Sequence, residues 1–394
     1  MKFLHTSLLA IALSSLHAPS LHAQTWADVL QQIEQNNLEL QAAKQQTLAT
    51  QLEAKRSLNL PDPEVSYSSV YTNGTAPGHG TEFSATQSFN FPTYYLSQHK
   101  NVKLQREAAT IGKQVVRRNV LLSAKLLCID LTHYQQTAAL LDLRQQRADS
   151  LVALLTNAEN TGDVSALTTN RIALERLNIR TASAQNDAAL RTALQQLQAL
   201  NGGRHLEIGA MAYPLVSLPK NYDALADQVL PQHLDLTLSR SATAAAEQAV
   251  KVARQNNLPR LTAGFKRSTD LTNSMNGFVV GMSIPIFSNR SATRTAKAQA
   301  QSQRLRSDEA TLQAQSWLMS LHNEALQLSE ALSAIDVNRL QQNLKLLDIA
   351  LSEHHLTLTD YYTECEAIYT ALQTRLDLEL QYQRIVAEIY SNEL

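Results

Sequence analysis

The sequence has few residues of the kinds that break helices, cross-link a small domain or fill a thick core. Its 394 residues include two cysteines, 11 glycines and 10 prolines, and aromatic residues make up 5%. Scarce glycine and proline favour long helices, and scarce aromatic rings favour thin, extended packing over a thick globule. Cys128 and Cys365 are too few for a disulfide framework, and their distant places in the predicted helices indicate two free thiols.

An excess of charge of either sign is also missing. The 34 Lys and Arg residues nearly balance the 35 Asp and Glu residues, so nothing attracts a polyanion and no nucleic-acid partner is expected. The motifs of serine hydrolases, zinc proteases, P-loop proteins and dithiol oxidoreductases are absent. We therefore expect a protein that is not an enzyme, with no cofactor and no catalytic or metal site.

Residues 1–23 have the pattern of a cleaved secretory signal peptide. Lys2 precedes an apolar run from Leu8 to Leu16, and the small residue Ala23 precedes the expected cleavage point. The residue directly after that point is Gln24 and not a cysteine, so a lipid anchor at the new N-terminus is not expected. No later window is long and apolar enough for a membrane-spanning helix.

The rest of the chain consists of two copies of one sequence repeat. Four sequence anchors recur in the same order at an offset of about 196 residues. The pairs are residues 37–40 with 233–236, 59–61 with 257–259, 83–91 with 278–286, and 164–166 with 358–360. We predict a first repeat over 24–203, a linker over 204–221 and a second repeat over 222–394.

Each repeat contains a predicted β-hairpin between helical stretches. Apolar and polar residues alternate over about 63–72 and 81–91 in the first repeat, and over about 260–269 and 277–287 in the second. Each hairpin is followed by a proline-free helical stretch, about 94–158 and 290–354, then a polar break and a return helix. The second stretch carries a coiled-coil ladder from Ser333 to Leu351. The fold class is mainly α with a small β part.

Strands of about ten residues with one apolar face have the length needed to cross a bilayer at a tilt. Four strands cannot close a barrel, whereas three copies would supply twelve. The alternative is a soluble sheet half-buried on the helices. The residues predicted to face lipid are Tyr67, Phe83, Phe89, Phe91, Phe265, Phe278, Val280 and Ile284.

These features together resemble the TolC family of outer-membrane efflux proteins over the whole chain from about residue 24. Residues 89–95 and 281–290 are similar to the stretches where that family passes from its barrel to its long helices. Residues 360–382 resemble the branch that serves metal and drug pumps of the resistance-nodulation-division type. Two departures are Leu356, where the family often has glycine in the second helical turn, and the missing lipidation cysteine.

The resemblance implies a homotrimer with a twelve-stranded transmembrane β-barrel that continues into an α-helical barrel across the periplasm. It implies a passive conduit for small solutes or metal ions, working with a periplasmic adaptor and an inner-membrane pump. The alternatives are a secreted periplasmic coiled-coil scaffold and a channel for secreted proteins or peptides.

Candidate functional residues cluster at the predicted helical turns. Asp360 and Glu364 share one helix face, which favours either a charged periplasmic mouth or a simple helix cap. His354 and His355 are adjacent and would diverge on a helix, so a metal site is not expected there. The candidate adaptor-docking tips are Gly162, Asp163, His354, His355 and Thr357.

Overall fold

The computed structural model of the chain describes residues 26–72, 78–159, 166–270, 273–285 and 291–394. The predicted signal peptide and the tip residues Gly162 and Asp163 lie outside these ranges. Within these ranges helices dominate, as the composition predicted, and one four-stranded sheet accompanies them. The helices are α1 Trp26–Asn36, α2 Leu38–Arg56, α3 Pro92–Glu159, α4 Ala166–Leu200, α5 Tyr222–Val229, α6 Leu234–Gln255, α7 Ala292–Ala334, α8 Val337–Ser352 and α9 Leu358–Ile389. The strands are β1 Glu64–Thr72, β2 Gly78–Phe89, β3 Arg260–Thr269 and β4 Ser274–Ser283.

The strand bounds differ slightly from the sequence prediction. β2 begins at Gly78 and ends at Phe89, and β4 runs from Ser274 to Ser283 rather than over 277–287. The hairpins are therefore shifted towards their turns, because strand pairing continues into polar residues that break the apolar alternation.

The second long helical stretch is not continuous, which corrects the prediction of one helix over 290–354. α7 ends at Ala334 and α8 begins at Val337. Asp336 has extended backbone angles, and its side chain accepts a hydrogen bond from the Arg339 N–H, so it caps α8. Neither glycine nor proline marks this break, so residue propensity did not reveal it. By contrast, α3 is a single helix of 68 residues, about 100 Å long.

Among the described residues, the buried side chains form three clusters. The first lies between α1, α3 and α4, the second between α3, α4, α8 and α9, and the third between α5, α7 and α9. Each cluster lies between a few helices, so the buried residues are distributed along the described helices. Cys128 belongs to the first cluster and Cys365 to the second, and both are free thiols, as predicted.

The four strands form one antiparallel sheet in the order β1-β2-β3-β4. The register places Tyr67 opposite Phe83, and Phe265 opposite Phe278. In the described part of the chain, the outer edges of β1 and β4 have no neighbouring strand. The described strands make extensive contacts with one another, and none of them makes extensive contacts with a helix. The sheet therefore extends away from the helical layers.

Candidate functional site

One face of the sheet collects the apolar strand residues. Cross-strand partners share a face of an antiparallel sheet, so the register joins residues from all four strands. Six of the eight residues predicted to face lipid lie on this face within the strands: Tyr67, Phe83, Phe89, Phe265, Phe278 and Val280. Phe278 and Val280 are 91% and 87% exposed, so the chain itself leaves them uncovered.

The apolar face has limits along the strands. Phe91 and Ile284 lie just beyond the strand ends, and both are exposed. Arg267 is the cross-strand partner of Phe83 on the same face, and the residues beyond this pair lead towards the hairpin turns. A long arginine side chain can extend to a polar boundary while its stem stays in an apolar layer. The apolar band therefore covers the half of the sheet nearer the helices.

The opposite face carries most of the polar strand residues, with the apolar Val70, Met275 and Val279 among them. Ser66 and Ser84 hydroxyls are 2.7 Å apart, and Ser88 and Thr262 hydroxyls are 3.1 Å apart. Lys266 Nζ lies 2.8 Å from Glu82 Oε2 on the neighbouring strand. One face of the sheet is thus suited to an apolar environment and the other to water.

A polar network joins four helices near the predicted tips. Arg144 on α3 donates to Glu175 Oε1 on α4 at 2.7 Å and to Glu366 Oε2 on α9 at 2.9 Å. Its guanidinium also lies 4.9 Å from the centre of the Tyr369 ring. Glu175 is 7% exposed, so its carboxylate depends on these partners.

Two tyrosines extend this network. Tyr362 donates its hydroxyl hydrogen to Glu175 Oε2 at 3.0 Å, and burial together with the nearby carboxylates raises the pKa of Tyr362 to about 12. Tyr361 donates to Asp348 Oδ1 at 2.8 Å, and Asp348 also pairs with Arg147 at 2.5 Å. Burial raises the pKa of Tyr361, so both phenols stay neutral donors at ordinary pH. The network fixes α9 against α3, α4 and α8.

The sequence did not reveal this network. Its members come from separate parts of the chain, and Arg144 and Glu366 are 222 residues apart. Its charged members lie in helices rich in charged and amide residues, so no local spacing distinguishes them. Only the packing of four helices brings them together.

Asp360 and Glu364 share the exposed start of α9. Thr357 Oγ1 accepts from the Asp360 N–H at 3.2 Å and donates to Asp360 Oδ2 at 2.6 Å. Asp360 therefore takes part in a helix cap, which was one of the two roles expected for it. Glu364 is exposed and makes no ion pair with another described residue. The mouth role of both carboxylates stays a prediction.

His354 and His355 form the end of α8. His354 has a positive φ of 60°, its N–H donates to Leu351 O at 3.2 Å, and the His355 N–H donates to Ala350 O at 2.9 Å. This pair of bonds is the Schellman motif, in which the position of His354 is usually glycine. Within the described residues, no group of three or more His, Cys, Asp or Glu side chains could hold a metal ion.

None of the helices in the described ranges has the combined length and apolar character needed to cross a bilayer. Comparisons of the sequence with protein-family profiles and with curated proteins gave no significant match. Solved structures do match the fold. CusC matches with a TM-score of 0.75 at 15% identity, over 93% of this chain and 91% of that one.

Two outer-membrane channels give similar agreement. OprN matches with a TM-score of 0.78 at 14% identity, over 93% of this chain and 89% of that one. CmeC from Campylobacter jejuni matches with a TM-score of 0.74 at 14% identity, over 99% of this chain and 93% of that one. OprN and CmeC are described as outer-membrane channels, and CusC as a protein that forms a transmembrane channel. At these identities the likeness establishes the fold, and the resemblance seen in the sequence is confirmed at that level.

Proposed function

We propose that three copies of this chain form an outer-membrane channel, in which twelve strands close a β-barrel and the helices continue as a tunnel through the periplasm. The observation that carries this proposal is an open four-stranded sheet with an uncovered apolar face. An unpaired sheet edge in lipid costs several kcal/mol per backbone group, so such a sheet needs partner strands. Copies of the same chain would supply them.

The uncovered apolar face counts against a soluble scaffold. In that alternative the sheet would be half-buried on the helices, but Phe278 and Val280 are almost fully exposed and no helix packs extensively on the strands. A soluble protein rarely exposes such a patch without a partner.

Exposed leucines on the helices support contacts between copies. On α7, Leu305, Leu312 and Met319 are exposed at intervals of seven residues, the spacing of a helix-packing seam. On α2, Leu48 and Leu52 are exposed four residues apart. We propose that α7 of one copy packs against α2 of the next and closes the helical barrel.

The proposed role is that of a passive conduit for small solutes or metal ions in a tripartite efflux system. In it, the helical tips, including Gly162, Asp163 and residues 354–357, would contact a periplasmic adaptor, and an inner-membrane pump of the resistance-nodulation-division type would supply energy. Asp360 and Glu364 would line the periplasmic mouth. The TolC-like fold supports this role.

The test is expression with the native leader in a Gram-negative host, followed by membrane fractionation, detergent extraction and planar-bilayer recording. We expect a leader-free trimer in the outer membrane with a measurable conductance. Phe89→Asp and Ile284→Asp should block assembly, whereas Ser84→Asp on the polar face should not. A leader-free, monomeric protein that is freely soluble in the periplasm would contradict the proposal. Conductance that passes peptides and complementation of a peptide exporter would favour the secretion channel.

A further inference from the structure

A cavity of about 440 Å³ lies where the start of α6 and the end of α9 meet between α3 and α7. Its size is in the range of small-molecule sites. No residue of the tip network or of the sheet lines it. The lining residues used below are Arg118, Leu236, His233, Ala314, Trp317 and Glu388.

One side of the cavity is apolar and aromatic. The rings of His233 and Trp317 meet edge to face, with their centres 5.7 Å apart. Leu236 and Ala314 are both buried beside them. An indole with aliphatic neighbours favours a ligand with an apolar or aromatic body.

The charges of the lining leave a carboxylate without an opposite partner. Arg118 Nη1 lies 2.6 Å from Asp235 Oδ2, so these two charges neutralise each other. Glu388 makes no ion pair with another described residue. Burial, aided by the nearby Glu324 carboxylate, raises the pKa of Glu388, and Arg384 opposes that shift. A cation placed beside Glu388 would offset the free-energy cost of burying its ionised carboxylate.

His233 is a second group that lacks a partner. It is 8% exposed, and its Nδ1 makes no hydrogen bond with any described residue. Asp235 Oδ2, at 3.8 Å, is too far away for a hydrogen bond. Burial lowers the pKa of His233, so its ring is neutral at pH 7 and can accept a hydrogen bond.

On α3, the cavity lining lies on the side of the helix opposite the side that packs against α1. On α3, Val120 and Ala124 pack beneath α1, whereas the cavity residue Leu122 lies about 200° around the helix from Val120. In the proposed trimer this side would face the lumen, so the assignment to cargo rests on the proposed function.

We propose that this cavity binds a small organic cation, with Glu388 pairing with a protonated amine, Trp317 packing against an apolar or aromatic body, and His233 accepting a hydrogen bond. Cargo of this class would bind reversibly in this cavity, part of the way along the tunnel wall.

The test uses the purified full-length protein in detergent, with dansylcadaverine as the probe. The chain has two tryptophans, so Trp26→Phe leaves Trp317 as the single donor for energy transfer to the dansyl group. We expect saturable quenching of Trp317 by dansylcadaverine and little by the anionic dansylglycine. Equilibrium dialysis measures the affinity of the wild-type chain for dansylcadaverine, and we expect the same affinity as for Trp26→Phe.

Three variants locate the binding. Glu388→Gln should weaken dansylcadaverine binding at least fivefold, and Ala314→Leu should abolish it by filling the cavity. Glu247→Gln, an exposed carboxylate on α6, should leave it unchanged. Absence of saturable binding, or equal effects of Glu388→Gln and Glu247→Gln, would overturn the inference. A trimer that conducts but binds no dansylcadaverine defeats this inference alone, whereas a monomer without conductance defeats the proposed function.

Discussion

The guanidinium of Arg144 lies 2.9 Å from the carboxylate of Glu366 and thereby joins α3 to α9 across 222 residues of sequence. The same nitrogen lies 2.7 Å from Glu175 on α4. One cation therefore connects three helices near the tips. In the proposed channel, any widening at this end that separates α9 from α3 has to break these contacts.

Arg144→Met should destabilise the chain by about 2–4 kcal/mol, because it leaves the buried Glu175 carboxylate without its cation. Urea unfolding measures this change. Arg176→Met is the matched control, since its pair with Asp149 is much more exposed and should contribute less than about 1 kcal/mol. Equal losses in both variants would show that burial of the network does not matter. In bilayers, Arg144→Met should also raise the open fraction of the proposed channel.

His354→Gly should stabilise the chain by up to about 1 kcal/mol. His354 holds a positive φ, which costs an L-residue about 1–2 kcal/mol and costs glycine much less. Thermal unfolding of the two proteins checks the direction. His355→Gly, one residue later and without a positive φ, should be neutral or destabilising. A loss of stability in His354→Gly would mean that the histidine ring makes a compensating contact.

Asp336→Ala should cost about 1 kcal/mol, because it removes the side-chain cap of α8. Amide hydrogen exchange should show faster exchange in the first turn of α8, residues 337–340. Asp308→Ala in the middle of α7 is the control and should not destabilise, since alanine favours a helix interior. If both variants behave alike, the break at Asp336 is not held by its cap.

Acidification should destabilise the chain partly through His133. Burial lowers the pKa of His133 below its usual 6.5, although the Asp377 carboxylate opposes that shift. The unfolded chain therefore binds the proton first, so His133's contribution to stability is present above about pH 6.5 and is lost as pH falls below that value. Urea unfolding at pH 7.5 and 5.5 should show a smaller drop for His133→Asn than for the wild type. An unchanged drop would assign the effect to other groups, such as His233, whose pKa is also lowered by burial.

Phe278→Arg should prevent stable membrane insertion, because an arginine on the lipid face of a barrel costs about 2–4 kcal/mol near the bilayer centre. Val279→Arg is the adjacent control on the polar face and should insert normally. Heat-modifiable migration of the outer-membrane fraction distinguishes inserted from unfolded protein. Equal failure of both variants would argue against a two-faced sheet in lipid.

Part of the candidate site could be predicted from local sequence patterns. Alternation placed Tyr67, Phe83 and Phe278 on one face, because side chains of a strand point to opposite faces in turn. Cross-strand register then joined them without further information. The network around Arg144 and Glu366 and the cavity beside Glu388 could not be predicted in this way. Their members share no local spacing, and each is ordinary within its own helix.

The sequence by itself determined the helical character, the β-hairpins and their apolar face, because propensity and periodicity act between neighbours in the chain. Only the tertiary structure decided where α7 ends and α8 begins, at Asp336. It also decided the contacts by which Arg144 connects α3 to α4 and α9, and the cavity between α3 and α7. The network and the cavity depend on contacts between residues far apart in sequence, and at the break Leu332 O accepts a hydrogen bond from the distant Arg375. Where a long helix is interrupted, and which of its charged side chains are buried, depend on the elements that pack against the helix.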